Sequence, residues 1–169
     1  PAALIALGAQ LEIAGLDGHR VQPVENFFRD YMEVDLGSSE ILTAILLPPP
    51  APSSGSAYLK HRLRQTDAAL VGVGTWVRFD EGGERIEDAR IGLTGVGVTP
   101  VRAAAAEQVL RGAEPGDTVL ATASEEAAAA CAPFSDTEGS EWYRQEMVRV
   151  FVRRALQVAV QRARAAAAR

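Results

Sequence analysis

One cysteine in 169 residues, Cys131, excludes an intrachain disulfide framework and any iron–sulfur or structural zinc site built on this chain's own thiolates. Two histidines, His19 and His61, are too few for a histidine-rich centre, so no metal ligand is assigned. Aromatic residues make up only 6% and the formal net charge is −5. Both argue against a nucleic-acid partner, which requires a basic surface and stacking rings. The longest apolar run, residues 41–52, is interrupted by Thr43 and ends in prolines, too short for a bilayer span. Nothing reads as a signal peptide. Metalloprotease and P-loop motifs are missing, and no nucleophile–base pair is readable, so no catalytic residue is assigned. These absences leave a soluble, cytoplasmic chain as the expectation.

What the chain does have is apolar mass, 47% of residues, carried by alanine, valine and leucine. That suffices for one compact domain or two small ones. It opens at Pro1 straight into an apolar helix-forming stretch, which reads as a start inside a folded unit, in a fragment or a processed chain. Periodicity predicts a short helix over 1–7 ended by Gly8, then strands over 9–14 and 20–24 joined at the hairpin signal Asp17-Gly18. Residues 25–30 read as a helical turn. Phe27, Phe28 and Tyr31 are expected to bury together against the hairpin. A strand over 40–47 stops at Pro48, Pro49, Pro50 and Pro52, and the following Ser53-Ser54-Gly55-Ser56 marks a boundary or surface loop. Beyond it, strands over 57–64, 67–79 and 86–96 predict a three-stranded antiparallel meander. Helices over 101–110, 117–131 and 140–167 are expected to pack on it, giving an α+β fold. The divide falls at residue 50, with units over 1–50 and 51–169. The tail over 161–169 has helical propensity but little to bury.

Several residues invite a chemical reading. Gly92 to Gly97 mimics a nucleotide loop but lies in a strand ending at Thr99-Pro100, so its glycines read as packing positions. Tyr58 can be a packed tyrosine at the domain junction or a stacking surface for a flat ligand. Asp67 can cap the strand entry by pairing with Arg62 or Arg64, or face a ligand. Ser140 is a candidate N-cap for the last helix. That helix sets Val148, Phe151, Val152, Ala155, Leu156 and Ala159 on one stripe, with Arg144, Arg149, Arg153 and Arg154 beside it, either as a solvated basic face or as arginines that lock the preceding turn or dock a neighbouring subunit.

Four stretches carry a family resemblance that spans nearly the whole chain. They are the opening PAALIALGAQLEIAGLDGHRVQPVENFFRDYMEVDLGSSEILTAILLP, then SAYLKHRLRQTDAALVGVG, then ARIGLTGVGVTPVRAAAAEQVLRG, and last PFSDTEGSEWYRQEMVRVFVRRAL. In this order they resemble the C-terminal portion of the FAD-binding (medium) subunits of molybdenum hydroxylases of the carbon monoxide dehydrogenase and xanthine dehydrogenase type. The resemblance implies an electron-transfer subunit of a molybdenum–flavin–iron–sulfur oxidoreductase. It implies FAD on the complete subunit, molybdopterin on a large partner subunit and [2Fe–2S] clusters on a small one. It places Leu42, Tyr58, Leu59 and Lys60 near the isoalloxazine ring, with Leu59 or Lys60 at the position where relatives carry a basic residue. It treats Asp67 as supporting the fold. The family's two glycine-rich diphosphate loops belong to an N-terminal FAD-binding segment upstream of Pro1, so weak FAD binding by these 169 residues alone is expected. The alternative is a structural or subunit-docking module with no flavin of its own.

Overall fold

The computed structural model describes residues 1–64 and 66–167. A short apolar helix, α1 (Ala2–Ala6), opens the chain. It ends before Gly8, whose φ of +65° lies in the left-handed region that glycine adopts without steric cost. Strands β1 (Gln10–Gly15) and β2 (Gly18–Pro23) then form the hairpin, with Gly15 opposite Gly18. A 3-10 turn at Val24–Asn26 leads into a two-stranded ribbon of β3 (Phe28–Asp30) and β4 (Glu33–Val34). Strand β5 (Ile41–Leu46) returns antiparallel to the free side of β1, giving the order β2-β1-β5.

Ile5, Ala9, Leu11, Ile13, Val24 and Phe27 form the core beneath this sheet. Phe28 meets Phe27 edge to face at 5.5 Å, as a shared aromatic cluster requires. Tyr31 does not join it. The expected helical turn gives way to the β3–β4 ribbon, which carries Tyr31 out to its tip, 74% exposed. One ion cluster ties the hairpin to the segment before β5: Arg20 reaches Asp35 at 2.9 Å and Glu40 at 2.7 Å, and Arg29 reaches Asp35 at 2.6 Å.

The second sheet is built by β6 (Ser54–His61), β7 (Val71–Phe79) and β8 (Ile86–Thr94), the expected meander, except that β6 starts earlier than expected, because Ser54, Gly55 and Ser56 pair with β7 instead of forming a loop; a two-residue strand β9 (Val101–Arg102) extends it. Consequently the next helix, α2 (Ala104–Leu110), begins later than its sequence suggests, because Val101 and Arg102 are taken by the sheet. Helices α3 (Asp117–Ala129) and α4 (Glu141–Ala167) complete the layer. Strand alternation sorts β7 cleanly: Val71, Val73, Thr75, Val77 and Phe79 are buried toward the helices, and Gly72, Gly74, Trp76 and Arg78 occupy the opposite face. From α4, Val148, Val152, Ala155, Leu156, Ala159 and Ala163 enter this core. The expected tail over 161–169 is helical through Ala167 and still buries Ala163; its last two residues lie outside the described ones.

The two sheets are joined through α1. Its backbone lies against Gly74 and Gly92, which face each other across β7 and β8, so that a Cβ on either would collide with the Ala2 carbonyl. A polar tie lies beside it. Glu107, 1% exposed, accepts bonds from the Ile91 amide at 3.0 Å and the Arg102 guanidinium at 2.9 Å. Arg102 extends to Glu25 of the first unit at 3.3 Å.

Candidate functional site

The sheet face turned away from α2–α4 is where the candidate residues gather. On β6 the even-numbered Ser54, Ser56, Tyr58 and Lys60 share it with Gly72, Gly74, Trp76 and Arg78 of β7, because Tyr58 pairs with Gly74 and Lys60 with Gly72. Tyr58 is 48% exposed, so its ring is presented rather than packed away. Its hydroxyl leans over Gly72: a Cβ there would lie 3.0 Å from Tyr58 Oη and 2.5 Å from Thr94 Oγ1. Two hydroxyls and a half-exposed ring therefore converge where Gly72 leaves room. A hollow of about 240 Å³ opens beside them, walled by Ala3 and Ala6 of α1, by Leu7 just after it, and by Ser56 and Tyr58.

Leu59 points the other way, against the helix-side core, as alternation demands. Lys60 is half-buried on the Tyr58 face. Leu42 sits in the first sheet, partly buried against the Leu11–Ile13 core and paired with Ile13. Leu42 and Tyr58 thus belong to different sheets, with α1 between them: Ile5 packs in the core against which Leu42 lies, and Ala3 and Ala6 wall the hollow beside Tyr58. Asp67 makes no ion pair with Arg62 or Arg64. Its carboxylate accepts the backbone N–H of Arg64 at 3.0 Å and closes a turn, because β7 begins only at Val71.

The end of β6 is fixed from the helix side. His61 Nε2 lies 2.9 Å from Tyr143 Oη, and its ring packs 5.2 Å from Phe151. One turn past Ser140, whose hydroxyl caps the helix by accepting the Tyr143 amide at 3.1 Å, Arg144 leaves the solvated basic face and locks the preceding turn. It is 4% exposed. Its Nη1 donates to the carbonyls of Leu70 at 2.9 Å and Gly95 at 3.0 Å, and Nη2 to Asp136 at 2.6 Å. Phe134 covers its guanidinium at 5.4 Å. The other arginines behave as surface residues: Arg149 pairs with Glu125 and Glu146, Arg153 with Asp117, and Arg154 lies over Phe151. Arg144 also draws the Asp136 carboxyl below its ordinary range. Burial pushes the Cys131 thiol up to about 12, which removes it from nucleophilic chemistry.

This face can stack a flat ring and offer it hydroxyl donors and acceptors; it holds no nucleophile–base arrangement. Among the described residues no group of three metal-ligating side chains occurs, and no helix is long and apolar enough to cross a membrane. The left-handed glycines Gly8, Gly18, Gly83, Gly95 and Gly112 close helices or turns, and none of them opens a helix as a phosphate cradle does. Sequence reasoning missed Thr94 and the recess over Gly72. The only available signal was the register, which follows from two strand pairings, β6 with β7 and β7 with β8.

Comparison with known proteins adds to this geometry. The family described as the CO dehydrogenase flavoprotein C-terminal domain matches residues 56–159, and that described as the FAD binding domain in molybdopterin dehydrogenase matches residues 1–50. The carbon monoxide dehydrogenase medium chain of Afipia carboxidovorans is 34% identical over 164 residues, covering 97% of this chain and 56% of that protein. The xanthine dehydrogenase FAD-binding subunit of Escherichia coli O157:H7 is 29% identical over 154 residues, covering 90% and 52%. In the solved carbon monoxide dehydrogenase of Hydrogenophaga pseudoflava, one chain superposes with a TM-score of 0.91 at 33% identity, over 96% of this chain and 56% of that one. The chain spans about half the length of the curated relatives it matches.

Proposed function

The chain belongs to the FAD-binding subunits of the molybdenum hydroxylase family, and from that premise we propose that it forms the ring-facing and subunit-docking part of an electron-transferring medium subunit. The observation that carries the proposal is the half-exposed Tyr58, poised over Gly72 and Thr94 at the seam between two sheets whose sequences match two adjoining family domains. We place the divide between them at the proline run, with residues 1–50 closing the FAD-binding domain and 51–169 forming the C-terminal domain.

These residues fit the flavin's ring end. Tyr58 offers a π-face, and Thr94 Oγ1 and Tyr58 Oη offer hydrogen-bonding groups to a polar ring edge. Lys60, on the same face, supplies positive charge beside them, while Leu59 fills the core and holds the strand's register. Leu42 supplies an apolar side chain from the opposite sheet. The diphosphate falls to residues outside these 169. FAD, when bound, supplies the redox chemistry; the chain positions the ring and excludes water from one face. Within the complete enzyme, electrons come from a molybdopterin subunit through a [2Fe–2S] subunit, and the assembly is cytoplasmic. A docking module without flavin is the second reading, favoured by the absence of any phosphate cradle among the described residues.

Tyr58→Leu in the complete flavin-containing subunit separates the two. Stacking predicts an altered flavin absorption envelope and a lowered FAD content, with unchanged far-UV circular dichroism. An identical flavin spectrum and full FAD occupancy would remove Tyr58 from the site and leave the docking reading.

A further inference from the structure

At the other end of the same sheet face lies a cleft of about 550 Å³ that the flavin reading does not use. One wall is the stiff segment Leu47-Pro48-Pro49-Pro50; the other is the sheet, bearing Ser56, Trp76, Arg78, Asp88 and Arg90. Trp76 pairs with Arg90 across β7 and β8, and the Arg90 guanidinium lies over the Trp76 ring, 5.6 Å from its centroid. The same guanidinium lies against Gly8, where a side chain would displace it.

Arg90 is held in place by a ring and a backbone, yet among the described residues it has no carboxylate within ion-pair distance and no hydrogen-bond acceptor. The other charges on the wall are answered. Arg78 pairs with Glu87 at 3.1 Å, and Asp88 with Arg111 at 3.1 Å. Arg78 also retains an Nε–H sealed from solvent without an acceptor. In a chain of net charge −5, this is a fixed, positive, donor-rich spot with an aromatic floor. An arginine oriented in advance by a ring presents its planar fork to an oxyanion with little further loss of side-chain freedom.

We infer that this cleft is an oxyanion-binding site, with Arg90 as its principal ligand and Trp76 as its floor, taking a carboxylate or phosphate group. The oxyanion can come from a small phosphorylated ligand or from a polycarboxylate, and the two probes below distinguish them.

The test uses the 169-residue chain labelled with 5-fluorotryptophan. It contains two tryptophans, and the 69% exposed Trp142 serves as the internal reference. Pyrophosphate and citrate are titrated separately at constant ionic strength while fluorine NMR is recorded. A saturable shift of the Trp76 resonance alone is expected with at least one probe, and whichever binds names the oxyanion. Arg90→Gln is expected to weaken that binding by about tenfold or more. Ser56→Glu, which places a carboxylate in the cleft without touching Arg90, is expected to abolish it while leaving the urea midpoint near wild type. No saturable shift with either probe, equal shifts at both tryptophans, or undiminished binding in both variants would each overturn the inference.

Discussion

Replacing Arg144 with methionine tests how far one buried guanidinium organises the end of the molecule beside the candidate site. Methionine keeps most of the apolar stem but none of the donors. The bonds to Leu70, buried, and to Gly95, partly buried, are charge-assisted, and each contributes about 1.5–3 kcal/mol. Losing both also strands two carbonyls, so the destabilisation should be about 3–5 kcal/mol. For a chain of this size that is a fall in Tm of about 6–20 °C. Urea unfolding followed by far-UV circular dichroism measures it directly, and calorimetry gives the Tm. Arg144→Lys should recover only part of the loss, because an ammonium cannot span two carbonyls and Asp136 with the same fork. If Arg144→Met unfolds within about 0.5 kcal/mol of wild type, the knot contributes nothing, and the turn over 132–140 is held by other contacts.

Gly92→Val should lift α1 off the sheet at a cost of about 1–3 kcal/mol, read as faster amide exchange at Ile5 and Ala6 while β7 and β8 stay protected. The Arg20 hydrogen bond and the Gly37 amide hold the Glu40 carboxyl down at about 2. Its folded pKa is depressed, so its stabilisation is complete above the unfolded value of about 4.3 and is lost as pH falls toward 2. Glu40→Gln should flatten the acid limb of the stability profile, and an unchanged limb would rule this pairing out as its origin. Cys131 should react with a thiol reagent at pH 8 far more slowly when native than when unfolded, since a pKa of about 12 leaves roughly a thousandfold fewer thiolates.

Periodicity made the six longer strands, β1, β2 and β5 to β8, and the long last helix legible, because each runs past a single turn signal; the two-residue β9 was read as the start of a helix. The Asp17-Gly18 hairpin was readable too. Tyr31 was not: its exposure depends on a two-strand ribbon too short to leave a periodic trace. Arg144 was legible as an arginine that locks the turn before the last helix, but not its bonds to Leu70 and Gly95, which are 74 and 49 residues away. The candidate face was partly readable. Tyr58 and Lys60 follow from alternation along one strand. The convergence of Tyr58, Gly72 and Thr94 needs the register of three strands, and register is set by tertiary packing.

The placement of α4 has a consequence for synthesis. The three long strands of the sheet it covers come from residues 54–94, while the α4 side chains that seal that sheet come from residues 148–163. Gly55 rests against the carbonyl of Ala159, and Arg162 donates to the carbonyl of Ser56, so the first strand of the sheet is docked by nearly the last turns of the chain. On the ribosome, the valine face of β7 lacks its α4 cover until about 70–85 further residues have been made, which at about 5–20 residues per second is an interval of about 4–17 seconds. During that interval the nascent sheet is an exposed apolar surface.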